Sequence, residues 1–167
     1  MPEPRWLNEV EDWAWRGFLQ MHRLLQTVLE REILADAGLS LSDYHVLVVL
    51  SEADGERLRI SALAEGLQWS PSRLSHQLTR MQDRDLVRRD GCPTDARGTF
   101  AVLTPTGRAA IEVAAPGHLA GVRRHLLDRL SPEQVRALAD ISEAVIGPLV
   151  AGGDGEAKVA RPRPPCR

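Results

Sequence analysis

The chain has 167 residues, 43% of them apolar and 26% charged, which excludes disordered and collagen-like classes and suits one globular unit with helical extensions. Its formal net charge of -2 argues against a surface that binds nucleic acid everywhere. No run approaches the roughly 18 consecutive apolar residues of a membrane helix, and no secretory signal opens the chain, so a cytoplasmic protein without membrane contact is expected.

The elements follow from caps and periodicity. Asn8 caps a long helix reaching about Asp36, Glu11 completes its capping box and Gly38 follows its end. Val10, Trp13, Ala14, Phe18, Met21, Leu25, Val28 and Leu29 form its apolar band. Trp15, Leu19, His22 and Ile33 widen that band, so the helix needs cover from more than one direction. Ser42 is expected to open a short apolar second helix that closes at Asp54-Gly55. Arg59-Ile60 reads as a stub of strand, and Ser61 as the cap of a very short third helix with a tight turn at Gly66. Ser70 then caps a fourth helix with Pro71 at its first position, where a missing N–H costs nothing.

"LVRRD" and "TFAVL" read as two strands joined by "GCPTDARG", a hairpin. Thr104-Pro105 repeats the cap-then-proline start, and the fifth helix is expected to run to about Leu130 with a kink or break at Pro116-Gly117. Ser131 to Gln134 is a capping box opening a sixth helix that closes near Gly147-Pro148. From Ala151 onward, Gly, Pro and Arg content points to a disordered tail. The fold class is therefore mainly α with a small β-hairpin wing.

On the fourth helix Ser72, Arg73, His76, Thr79 and Arg80 fall opposite Leu74, Leu78 and Met81. A short helix, a turn and then a helix with hydroxyls, Arg and His on its outer face is the arrangement that enters a DNA major groove. Arg73 or Arg80 suits a guanine edge, and Ser70, Ser72, Ser75 and Thr79 suit bases or phosphates. The competing reading is an ordinary solvated face. The hairpin that follows favours the first. Residues 70–100 carry six Arg and four Asp, a local +2 against -4 elsewhere. Arg88 adds to the basic side, and the hairpin tip brings Asp95 and Arg97, with the guanidinium placed to reach a minor groove and Asp95 to hold it.

"DARGTFAVLTPTG" resembles the MarR family of winged helix-turn-helix transcriptional regulators, which show D-x-R in the wing and L-T-x-x-G at the start of the next helix; Asp95, Arg97, Leu103, Thr104 and Gly107 match. "ISALAEGLQWSPSRLSHQLTRMQDRDLVRR" is similar to the family's third and fourth helices and first wing strand, and the resemblance spans roughly Trp6 to Pro148. It implies a homodimer built by the N- and C-terminal helices, binding double-stranded DNA at a pseudo-palindromic operator as a repressor. The organisation it implies is a dimerisation helix over 1–40, a DNA-binding lobe over 41–103, dimerisation helices over 104–150 and the tail over 151–167.

The family also implies small aromatic effectors held between the dimerisation helices and the lobe. Trp15, His22, Tyr44, His45 and Trp69 offer flat apolar area with polar tips for such a cleft, although the same residues suit ordinary core and interface packing. Cys92, near Arg88 and Arg89, is the candidate for a thiol sensor; the family's peroxide sensors place their cysteine in the first helix, which here has none. Cys166 lies 74 positions from Cys92, so no disulfide framework is expected. His118 and His125 share a helix face without a compact ligand set, so no metal or other cofactor is expected. No G-x-S-x-G, phosphate loop or H-E-x-x-H occurs, which argues against an enzyme. A winged module for protein contacts remains the rival reading, opposed by Arg73, Arg80 and Arg97.

Overall fold

The structure, a computed structural model, describes residues 4–92 and 95–151, with side chains for 4–91 and 98–150. Six helices and a three-stranded antiparallel sheet follow the order α1 (Glu9–Ala37), α2 (Leu41–Ser51), β1 (Arg57–Arg59), α3 (Ile60–Leu67), α4 (Pro71–Gln82), β2 (Val87–Cys92), β3 (Asp95–Leu103), α5 (Pro105–His125) and α6 (Pro132–Ala151). The expected tail lies, from residue 152, outside the described residues.

The local caps set several boundaries. Asn8 and Glu11 form the reciprocal box on α1, and Gly38 ends it in the left-handed region at φ 64°. Ser70 accepts from the Arg73 amide with Pro71 in the first turn of α4, and Thr104 does the same for Gly107 on α5. Ser131 and Gln134 exchange side-chain bonds at the start of α6.

Other boundaries differ from the sequence reading. Ser40, not Ser42, caps α2, because Asp43 stands three positions on and closes the box. Ser61 lies inside α3, whose N-cap is Arg59, and the turn falls at Gln68 with φ 54° rather than at Gly66. α5 passes through Pro116 without interruption. Its end comes at Leu126, where φ -129° and ψ -70° leave the helical region before the 3-10 turn Leu127–Arg129. α6 likewise continues past Pro148 to Ala151.

The sheet order is β1-β3-β2. β1 pairs Arg57 with Val102 and Arg59 with Phe100, while β2 pairs Val87 with Leu103 and continues to Cys92 opposite Asp95. One sheet face, with α2, α3 and α4, encloses a core of Leu47, Leu50, Leu63, Leu74, Leu78, Met81, Val87 and Ala101. Each large side chain buried there stabilises the lobe by roughly 1.5–3 kcal/mol. This is a winged helix.

The arms are packed differently. Ile33 is the one residue of α1 buried within the chain, and α6 buries none of its described side chains. α1 meets α5, where Arg124 and His125 both reach Glu32, at 2.9 and 2.7 Å. The bond from His125 is the main reason the Glu32 carboxyl sits below its ordinary pKa. Apolar faces stay open on both arms: Trp13 is 80% exposed on α1, and Ile141 and Leu149 are 61% and 73% exposed on α6. Among the described residues no single helix is long and apolar enough to cross a membrane.

Candidate nucleic-acid interface

α4 sits with one side in the lobe core and the other in solvent. Leu74, Gln77, Leu78 and Met81 are buried, while Ser72, Arg73, Ser75, His76, Thr79 and Arg80 are exposed, the division expected from a 3.6-residue period. The turn before it is fixed by Gln68 and by the Trp69 amide, which bonds back to the Ala64 carbonyl at 2.9 Å.

Each face residue has a distinct setting. Ser70 Oγ is committed to the helix cap and stands 3.2 Å from Ser72 Oγ. The Arg73 guanidinium lies 4.1 Å from the Trp69 ring centroid, a cation–π contact that restrains its stem. Thr79 Oγ1 donates to the Ser75 carbonyl at 3.1 Å. From β2, Arg89 donates to that same carbonyl at 2.9 Å and approaches the Ser75 and Thr79 hydroxyls at 3.4 Å each. The wing strand thus braces the middle of α4. Arg88 is exposed and paired with Asp90 at 3.0 Å. The side chains of Cys92, Asp95 and Arg97 lie outside the described residues; the backbone carries Asp95 and Arg97 on β3 at the wing.

Beneath the face runs a polar network that the sequence reading did not contain. Asp43, 3% exposed, accepts from Gln77 Nε2 at 2.6 Å through Oδ1. Its Oδ2 accepts from Arg84 at 2.8 Å and from the Ser40 amide at 2.9 Å. Arg84 also donates to the Gly38 carbonyl at 2.8 Å, and Arg80 donates to Gln77 Oε1. A signal existed: Gln77 stands among Leu74, Leu78 and Met81 on the inward side of α4, where a polar residue needs a buried partner. Its partner is 34 residues away, beyond the reach of periodicity.

The five residues expected near an effector cleft do not meet in one place. Trp15 and His22 flank Phe18 on the exposed surface of α1, with ring centroids 6.1 and 6.2 Å from that ring. Trp15 lines a groove with Trp6 and Arg16, and Trp69 lines another with Ile60 and Pro71. Tyr44 and His45 lie together on α2, Tyr44 against His118 of α5. Burial raises the Tyr44 pKa, with Glu52 adding to the effect. Desolvation lowers the His118 and His45 values, and His118 and Arg73 push His45 down further. A separate cavity of about 550 Å³ between α1 and the end of α5 is lined by Met21, Leu24, Leu126 and Leu130 among others, and by none of the five. Among the described residues no group of three or more His, Cys, Asp or Glu is placed to hold a metal ion.

Comparison with known proteins adds the decisive observation. The chain is 45% identical to AbsC, a MarR family transcriptional regulator from Streptomyces coelicolor, over 89% of its own length and 99% of that chain, with a TM-score of 0.83. It is also 31% identical over 120 residues to the transcriptional regulator HosA of Escherichia coli O111:H-, covering 71% of this chain and 86% of the relative. This chain belongs to the MarR family. The family's own sequence pattern matches residues 37–98, from the end of α1 to the wing. Another MarR family transcriptional regulator from Streptomyces coelicolor, Sco3205, solved in complex with DNA, superposes with a TM-score of 0.86 at 37% identity, over 96% of this chain and 100% of that one. The MarR winged helix is therefore shared along almost the whole chain, arms included.

Proposed function

We propose that this MarR-family regulator is a sequence-specific double-stranded DNA-binding repressor that acts as a homodimer on a pseudo-palindromic operator in the cytoplasm. The observation that carries the reading is α4: its apolar side is locked in the lobe core while Ser72, Arg73, His76, Thr79 and Arg80 face outward beside the wing. That placement suits entry into a major groove, and in this reading Arg97 of the wing serves the adjacent minor groove. DNA in the Sco3205 structure supports the same use of the shared fold.

The dimer is inferred from the open apolar faces of α1 and α6, which a second copy would cover by an isologous contact. In this reading 1–40 and 104–150 form the dimerisation arms and 41–103 the DNA-binding lobe. A small aromatic effector, held where Tyr44 and His45 face α5, would release DNA by its differential affinity for the two states.

Selection of bound duplexes from random and genomic DNA by the purified full chain tests the proposal. Two-fold related half-sites with centres about 10–10.5 bp apart are expected, together with a dimer mass on sedimentation and an affinity that falls steeply with salt. A stable monomer, or failure to retain any duplex at low salt, would overturn it.

A further inference from the structure

We infer that Asp43 and Gln77 are positioning residues that aim Arg80 at a base, so that a buried pair inside the lobe sets part of the operator preference. The inference rests on the DNA-reading function proposed above and adds the residues that fix one reading side chain. Asp43 and Gln77 are each 3% exposed, and a buried carboxylate is costly unless its oxygens are satisfied. Here both oxygens are bonded: Oδ1 by Gln77, and Oδ2 by Arg84 and the Ser40 amide.

The direction of the chain of bonds is dictated by chemistry. The Asp43 carboxylate, bonded to the Arg84 cation, can only accept, so the Gln77 amide must turn its NH2 inward. That leaves Gln77 Oε1 facing outward, where it accepts from Arg80. A guanidinium offers five N–H donors in a rigid planar fork; one bond to Gln77 restrains the fork and leaves further donors on an exposed side chain. Arg80 then loses less rotamer freedom on meeting a base than a freely swinging arginine would. Arg73 is held differently, by the Trp69 ring, so the two arginines of the face have separate supports.

The test compares affinity for a selected operator duplex with affinity for a scrambled duplex of equal length, using the dimeric full chain. Arg80→Ala should lower the preference roughly tenfold, as loss of one base contact does. Gln77→Met should lower it to a similar degree while affinity for the scrambled duplex stays the same, and should add nothing in an Arg80→Ala background. A merely structural role would weaken both duplexes alike, in either background. Helical circular dichroism and dimer mass check folding; Gln77→Asn, one methylene shorter, carries the same expectation if the Met variant does not fold. Full preference retained in Gln77→Met, or an equal loss with and without Arg80, overturns the inference. Absence of any preference in the wild-type chain defeats the proposed function itself, before a variant is made.

Discussion

The imidazole of His118 on α5 lies against the phenol ring of Tyr44 on α2, 4.4 Å between centroids and tilted by 42°. The contact joins α5 to the winged-helix lobe. Among the described residues His118 Nδ1 is buried without a hydrogen-bond partner, and desolvation lowers its pKa, as it does that of neighbouring His45, which the charges of His118 and Arg73 lower further. A histidine whose folded-state pKa is depressed binds its proton more readily when unfolded, so its contribution is complete above about pH 6.5 and is lost as pH falls toward the folded value. Thermal midpoints should therefore fall as pH drops from about 6.5 at constant ionic strength. His118→Phe, which keeps a ring against Tyr44, should flatten that dependence; an equal slope in the variant would exclude His118 as its source.

Gly107 occupies the third position of α5 and packs where no side chain fits. A Cβ there would lie 2.0 Å from the Leu86 carbonyl oxygen and 2.9 Å from Leu103 Cδ1. The obstruction is mainly backbone, so it cannot be relieved by a rotamer change. Gly107→Ala should cost at least the upper end of the roughly 1–3 kcal/mol usual for overpacking, read from urea unfolding monitored at 222 nm. An unchanged midpoint would mean that the junction of β2, β3 and α5 is looser than described.

The parts of the fold legible in the sequence are those decided within four residues. Asn8 with Glu11, Ser70 with Pro71, Thr104 with Pro105 and Ser131 with Gln134 each carry their partner nearby. The error at Ser42 had a local remedy, since only Ser40 has an acid three positions on. Other features depend on contacts distant in sequence. β1 pairs with β3 from Arg57 to Val102, and Asp43 reaches Gln77 and Arg84 across the lobe. In the candidate site, the exposed face of α4 followed from its period, whereas Arg89 as its brace required the register of β2 against the helix. The residues expected near an effector had no periodic relation, and spacing alone could not tell that Trp15 is exposed on α1 while Tyr44 is buried against His118 of α5.

Ile141 tests the role of α6. It is 61% exposed in the single chain, so replacing it by Glu should leave the lobe folded. Burying a side chain of this type contributes roughly 1.5–3 kcal/mol, and two-fold symmetry would count the loss twice. Ile141→Glu should therefore shift sedimentation toward monomer at micromolar concentration and reduce operator binding with it. A variant dimer as tight as wild type would remove α6 near Ile141 from the interface.

Arg89 and Arg97 separate bracing from contact. Arg89 bonds the Ser75 carbonyl and lies beside the Ser75 and Thr79 hydroxyls, all through Nη2, so in this geometry that nitrogen is directed to α4. Arg89→Met should lower operator affinity by roughly fivefold, the equivalent of about 1 kcal/mol for one net hydrogen bond. The slope of log affinity against log salt should not change, because no phosphate contact is removed. Arg97→Ala, on the wing, should weaken binding and also flatten that slope by about 1. Fluorescence anisotropy across a salt series distinguishes the two effects. If Arg89→Met flattens the slope as much as Arg97→Ala, Arg89 meets the DNA backbone in the complex and the brace gives way on binding.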